Sequence, residues 1–508
     1  MLSEGMPMSE DVQRTSRARA DILQRVEEGI AAGPFRADWA SIVAGYSVPT
    51  WYEDAKFGIF IHWGPYCVPG FSSEWYPREM YRAGRPEYEH HRETYGPHDQ
   101  FGYKDFIPDF TGVGFDPEDW ASLFRRAGAQ FVVPVGEHHD GFPMYASELT
   151  RWNAAAMGPG RDVVKELSDA VRAQSMIPGA SSHRAEHWWF FNGGMKFDSD
   201  VRDPAYADLY GPAQREEITP TEAFCEDWLA RTVEMVEHND AQLIWFDWWI
   251  EQDVFQPWLA KFAAWYYNRA VARNRPVAIN YKFDPFPPGA AVYDVERGQN
   301  AGIRPMLWQN DTSVAVKSWG WIEGQEYKDI RDILGDLLDV VSKNGALLLN
   351  VGPKPDGTFE PEERDLLHRI GDWFAVNGEA IYGTKPFSIS GEGPTEVEDT
   401  FLSDEHRQSF TAQDIRFTTR YDLVYATPLD WPPGETLLIK TFAEGSPHFP
   451  GPIGSVELLG DPDPLTFERN ADGLLVHLPA DRGTSPLPVL RITPALRLPL
   501  ARKHQLRN

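Results

Sequence analysis

RDVVKELSDAVRAQSMIPGASSH, residues 161–183, holds two hydrophobic periods in succession. Val163, Val164, Leu167, Ala170 and Val171 recur at spacings of three and four, which puts them on one face of a helix. MIPGASSH follows as a short apolar run closing on a histidine, the size of a buried strand. A helix feeding a strand in this way is the repeating unit of a parallel sheet. The same alternation extends outward in both directions, from about residue 40 to 385. Its other strand-sized runs are KFGIFIHWG (56–64), FVVPVGEHH (131–139), QLIWFD (242–247), PVAINYK (276–282), AVYDVERG (291–298) and GALLLNVG (345–352). DILGDLLDVVSK and PEERDLLHRIGDWFAV repeat the helical pattern, the latter with Pro361 at a first-turn position. Seven candidate strands point to an α/β fold, a (β/α)8-like barrel over residues 39–385, with one strand unread or the barrel irregular.

After about residue 386 the texture changes. DLVYAT, TLLIKTF, SVELLG, LTFER, GLLVHL and VLRIT are separated by Pro, Gly and Asp, and NADG sits between two of them as a hairpin signal. A β-sandwich domain over 386–508 is expected, and residues 1–38 read as a helical or partly disordered extension. The division agrees with the 508-residue length, which exceeds what one core serves.

The formal charge of −28 opposes nucleic acid and anionic membranes as partners. Cys67 and Cys225 stand far apart without a ligand pattern, so neither a disulfide framework nor a structural zinc site follows. The N-terminal residues lack an apolar run of signal-peptide length, and no window reaches the ~18 to 20 apolar residues of a membrane span. A soluble, cytoplasmic protein is expected. Aromatic residues make up 13% of the chain, with 19 Trp, and flat faces with a hydrogen-bonding edge suit hydroxyl-rich ligands as well as cores.

In such a barrel the chemistry sits at the C-terminal ends of the strands. Those ends carry His62, then His138 and His139, His183, Asp247, Lys282 and Glu296. The two carboxylates, Asp247 and Glu296, are the equipment of glycosidic cleavage, in which one attacks the anomeric carbon and the other protonates the leaving oxygen. A turn-capping role for Asp247 and a salt bridge from Glu296 to Arg297 or Lys282 are the bland alternatives. Adjacent strand residues face opposite ways, so only one of His138 and His139 turns inward unless the strand ends or bulges there.

WYEDAKFGIFIHWGPYCVPGFSSEWYPREMY (51–81) closely resembles the N-terminal signature of glycoside hydrolase family 29, the retaining α-L-fucosidases. EHHDGFPMYASELTRWNAAAMGPGRDVVKEL (137–167) is similar to its histidine-pair segment and LIWFDWW (243–249) to its nucleophile strand. SWGW (318–321) and LLLNVGPKPDGTF (347–359) resemble its closing segments, so the likeness runs in consistent order over about residues 45–385. The resemblance implies a barrel followed by a β-sandwich, and release of terminal α-L-fucose from oligosaccharides or glycoconjugates with net retention. It implies Asp247 as nucleophile and Glu296 of ERG as acid/base. His62, Glu74, Trp75, His138 and His139 would line the fucose pocket, and Trp245, on the same strand face as Asp247, would pack on the sugar.

Three positions depart from the family pattern. Ser181 or His183 stands where members carry a tyrosine, and Lys282 where some supply an arginine, keeping the charge and losing the fork. Trp308-Gln309 occupies a place where other members put the acid/base glutamate, and glutamine cannot donate an acidic proton. These features lean toward α-1,3- or α-1,4-linked fucose. Neither a cofactor nor a metal is implied, and a homo-oligomer is compatible. Three other readings stay open: a transfucosidase with the same residues, a metal-dependent barrel hydrolase using His62, His138 and His139, and an inactive fucose-binding lectin.

Overall fold

The computed structural model describes residues 10–211, 213, 218–402 and 408–495. Eight parallel strands pair in sequence order and close into a barrel: β1 (Phe57–Ile61), β2 (Phe131–Glu137), β3 (Ile177–Ser182), β4 (Leu243–Phe246), β5 (Ala278–Tyr281), β6 (Val292–Glu296), β7 (Trp308–Ser313) and β8 (Gly345–Val351). We number only helices of ten or more residues. Helix α1 (Glu10–Ala32) comes first, and α2 (Pro117–Arg126), α3 (Val163–Ala173), α4 (Glu222–Asn239) and α5 (Gln256–Arg273) lead into β2 to β5 in turn. Helices α6 (Ile330–Ser342) and α7 (Pro361–Asn377) flank β8.

Both possibilities left open by the count of seven strands are realised. The unread strand is β7, WQNDTS, fully buried although nearly all its side chains are polar. Several of those side chains find partners inside the barrel wall: Tyr52 Oη donates to Gln309 Oε1 at 2.6 Å, and Asn310 Nδ2 donates to the carbonyls of Val295 and Gly298 at 2.7 and 2.8 Å. Hydrogen bonding thus replaces the apolar run that marks the other strands. The barrel is also irregular, because neither the β5–β6 nor the β6–β7 crossover contains a helix. Phe60, Phe131, Val133, Val135, Trp245, Ala278, Ala346 and Leu348 belong to one buried cluster of the barrel.

Helix α1 lies against α4 and α5, burying Ile22 and Val26 and pairing Arg19 with Asp227 at 2.6 Å. No described helix is long and apolar enough to cross a membrane.

The C-terminal part is a β-sandwich. Strands β9 (Lys385–Glu392), β10 (Ile415–Arg420), β11 (Leu423–Pro428), β13 (Ile453–Leu458) and β16 (Leu490–Pro494) form one antiparallel sheet in the order β13-β16-β11-β10-β9. Strands β12 (Thr436–Ile439), β14 (Phe467–Asn470) and β15 (Gly473–His477) form the other, and NADG closes the β14–β15 hairpin with Asn470 opposite Gly473. Phe417, Val424, Val456 and Ile492 from the first sheet share one core with Leu437, Ile439, Leu474 and Val476 from the second. The domain docks through β9 and β10 on α6, where buried Arg416 reaches buried Asp339 at 2.7 Å.

Candidate active site

A cavity of about 320 Å³ opens at the C-terminal mouth of the barrel, lined by His62, Glu74, Trp75, His138, His139, His183, Trp245, Asp247, Lys282 and Glu296. All ten candidate residues therefore meet in one place. A larger groove of about 890 Å³, between α7 and the β-sandwich, contains none of them.

Asp247 is 6% exposed, and four donors occupy its two oxygens. Oδ1 accepts from Lys282 Nζ and from the Trp248 backbone N–H, each at 2.9 Å. Oδ2 contacts His183 Nδ1 at 2.9 Å and His139 Nε2 at 3.1 Å. Burial pushes the carboxyl up, but the Lys282 ammonium and the two imidazole N–H groups outweigh it and hold Asp247 well below the usual carboxylate range. Lys282 also contacts Glu296 Oε2, so one ammonium bridges both carboxyl groups. Burial opposes the charge on Lys282, yet Asp247 and Glu296 raise its pKa well above the ordinary lysine value. Its ammonium lies 4.5 Å over the Trp245 ring.

The histidine pair is resolved by a bulge. Pairing of β2 with β3 slips between Val135 and Glu137, and the strand ends at Glu137. Freed from the pleat, His138 and His139 stack at 4.3 Å with nearly parallel rings, and both reach the pocket. The tautomer of His62 follows from its neighbour. Asn350 Nδ2 donates to Trp319 O at 2.7 Å and to Ser313 Oγ at 3.1 Å, so its Oδ1, 2.7 Å from His62 Nδ1, accepts a hydrogen bond from Nδ1–H and leaves His62 Nε2 as an acceptor. Burial lowers the pKa of His62 and His138 well below the ordinary value and that of His183 to about 4, so these imidazoles are neutral near pH 7.

Of the two candidates for the family tyrosine's place, His183 faces the pocket and Ser181 stands behind it. Ser181 Oγ lies 3.1 Å from His183 Nε2 and, as donor, fixes the tautomer that presents Nδ1–H to Asp247. Glu74 Oε2 accepts from Trp319 N–H at 2.9 Å and Ser318 Oγ at 3.1 Å, tying the loop after β7 to the pocket wall. Trp75 meets His139 edge-on at 4.7 Å. Trp248 lines the pocket, and Trp249 packs behind it against Trp189 at 5.5 Å.

Among the described residues, two groups bring ligand atoms within 4.8 Å of one another: His62, His138 and His183, and His139, His183 and Asp247. Their membership differs from the set His62, His138 and His139. In both groups His183 is already engaged, through Nδ1 to Asp247 and Nε2 to Ser181, and the Lys282 ammonium on Asp247 repels a cation from the second.

Sequence reasoning missed Asp311, Trp319, Phe283 and Leu402, which also line the cavity. Asp311 sits on β7, the strand whose polarity concealed it. Burial, then the neighbouring Asp294, push its carboxyl well above the usual range, which favours the uncharged form beside Asp247. Trp319 lies in the quoted SWGW motif, which offered a signal. Leu402 arrives from beyond β9, and nothing local in the sequence announces it.

Known proteins share this architecture. The family model "Alpha-L-fucosidase" matches residues 22–379, and "Alpha-L-fucosidase C-terminal domain" matches residues 408–493. The tissue α-L-fucosidase of Homo sapiens is 29% identical over 463 residues, covering 88% of each chain. That of Bos taurus is 30% identical over 465 residues, covering 88% of this chain and 87% of its own. A Thermotoga maritima α-fucosidase, solved in complex with fucose, superimposes with a TM-score of 0.71 at 27% identity, over 90% of this chain and 99% of its own. With the first model spanning most of the molecule and the second its sandwich, the chain belongs to the α-L-fucosidase family.

Proposed function

We propose that the pocket hydrolyses terminal α-L-fucose from fucosylated oligosaccharides or glycoconjugates by double displacement with net retention. Asp247 attacks the anomeric carbon while Glu296 protonates the glycosidic oxygen, and the aglycone leaves. Glu296 then takes a proton from water, which attacks the fucosyl–Asp247 ester and returns the carboxylate. The observation that carries this reading is the shared ammonium. Asp247 and Glu296 both bind Lys282 Nζ, so their nearest oxygens lie no more than two hydrogen-bond lengths apart, roughly 6 Å. Retaining pairs stand about 5 to 5.5 Å apart, and inverting pairs about 6.5 to 9.5 Å, because they must hold a water between carboxylate and sugar.

The remaining groups suit a neutral, hydroxylated ring. His62 Nε2 is an acceptor for a sugar hydroxyl, and uncharged imidazoles exchange hydrogen bonds without the cost of burying net charge. Donors held on Asp247 keep it anionic between turnovers, and one of them must yield as the attacking oxygen turns to carbon. The ammonium shared between the carboxyl groups loosens from Glu296 when that residue takes up the proton it donates.

The test is Asp247→Gly. Turnover of an aryl α-L-fucoside is expected to fall on the order of 10⁴-fold or more, as for other nucleophile deletions. Added azide should restore part of the rate and give the β-fucosyl azide, the inverted product of a single displacement. Near-normal turnover without azide overturns the assignment.

A further inference from the structure

The β-sandwich domain reaches the active site. Between β9 and β10 the chain leaves the sandwich, and residues 399–402 lie along the segment that follows Glu296. Leu402 N–H donates to the Glu296 carbonyl at 2.8 Å, and Thr400 N–H to the Gln299 carbonyl at 2.9 Å. In return Gln299 N–H donates to Thr400 Oγ1 at 2.9 Å and Ala301 N–H to Asp399 Oδ1 at 2.8 Å. The two backbones run so close that a Cβ on Gly298 would stand 2.3 Å from Thr400 O. Phe401 turns inward, packing with Val295, Trp308 and Val340 and meeting Phe283 edge-on at 5.0 Å.

This anchorage delivers Leu402 to the pocket mouth in an unusual state. It adopts a left-handed backbone (φ 65°) and is 53% exposed while lining the same cavity as Glu296. Phe283, also left-handed at φ 57°, and Trp248 are half-buried members of the same rim. A leucine held out at a cavity mouth, in a conformation that costs free energy, is the kind of local exception found where a ligand is met. Glu296 protonates the oxygen that joins fucose to its aglycone, so whatever stands beside Glu296 on the open side stands beside the aglycone.

Building on the fucosidase reading, we infer that Leu402, supplied by the β-sandwich domain, forms with Phe283 and Trp248 an apolar platform for the sugar that carries the fucose. The ligand class is a neutral saccharide ring presenting a C–H face, which packs on aromatic and aliphatic surface. Leu402 is a specificity residue: it acts on the leaving half of the substrate and leaves the fucose contacts to the barrel.

The experiment compares two substrates that share the fucosyl group. In α-L-fucosyl fluoride the leaving group is one atom and touches no platform, whereas in a fucosyl-N-acetylglucosamine disaccharide it is a full ring. The readout is the ratio of kcat/KM for disaccharide to fluoride. Loss of an apolar contact of this size is worth roughly 10-fold in discrimination. Leu402→Ala is therefore expected to lower the ratio about tenfold, and Leu402→Met, which keeps the apolar contact, to restore most of it. An unchanged ratio for Leu402→Ala, whatever happens to the absolute rates, overturns the inference and leaves the fucosidase reading intact. Failure of the unmodified enzyme to release fluoride and to cleave the disaccharide removes that reading, and the platform with it.

Discussion

Burying a carboxylate is tolerable only where donors replace the water it loses, and Asp247 shows how completely this can be done. Among its donors the Lys282 ammonium brings a full charge, whereas His183 is neutral near pH 7. Lys282 therefore decides the charge state of the proposed nucleophile. In Lys282→Met, burial loses its strongest opponent, and the Asp247 pKa rises. A nearby opposite charge shifts a carboxylate by about 1 to 3 units, so the acid limb of kcat/KM should move to higher pH by about that much. The unmodified enzyme then keeps activity at acid pH values where the variant has lost it. Profiles for both with an activated aryl fucoside check this, and superimposable acid limbs would show that Lys282 does not set the charge. Asp247 was legible in the sequence because a charge directly after LIWF must either end a strand at a site or cap a turn. Asp311 was not, because its strand alternates no apolar residues and its raised pKa comes from burial and then from Asp294 on the neighbouring strand β6.

Behind the pocket, the strand ends are held by a buried ionic cluster. Arg184, just past β3, donates to Glu137 Oε1 at the end of β2 at 2.6 Å and to Asp227 Oδ2 on α4 at 2.9 Å. Arg231 joins from α4 at 3.5 Å to Glu137, and Arg19 from α1 at 2.6 Å to Asp227. Burial opposes the charge on Asp227, but the arginines prevail and lower it to about 2. Glu137 immediately precedes His138, and Arg184 immediately follows His183, so the cluster fixes both approaches to Asp247. Arg184→Met would leave two carboxylates short of their main partner, which costs about 3 to 5 kcal/mol when a buried pair is broken. Urea unfolding should show that loss, and kcat should fall with it as His139 and His183 lose their anchorage. A stability change under ~1 kcal/mol would mean that Arg231 and Arg19 suffice. Periodicity revealed seven of the eight strands, since they are apolar runs between turns, and hid β7, whose hydrogen-bonded interior mimics a loop in composition. The bulge at the end of β2 was equally hidden, because it exists only in the pairing of β2 with β3.

At the scale of the molecule, the antiparallel strands begin with β9 at Lys385, and texture in the sequence cannot show that barrel and sandwich are joined functionally. Two of the contacts that join them bear on the pocket rim: the 399–402 segment beside Glu296, and the salt bridge where Arg416 of β10 meets Asp339 of α6. Asp339 also accepts from Lys343 at 2.8 Å, and Lys343 Nζ in turn donates to the Asn300 carbonyl at 2.6 Å, on the loop beside residues 399–402. The ionic joint and the platform thus share one stretch of chain, which couples the sandwich to the pocket rim. Arg416→Met removes a buried cross-domain cation and leaves Asp339 paired with Lys343. The expected cost is about 3 kcal/mol, near the low end for a broken buried pair because one partner remains. Since the lost contact lies between domains, calorimetry should show the melting endotherm moving down and separating into two. Adding Asp339→Asn should not recover the loss, because it leaves the buried Lys343 ammonium without its carboxylate. A single endotherm at the original temperature in Arg416→Met would mean that apolar packing of β9 and β10 on α6 joins the domains without the ion pair.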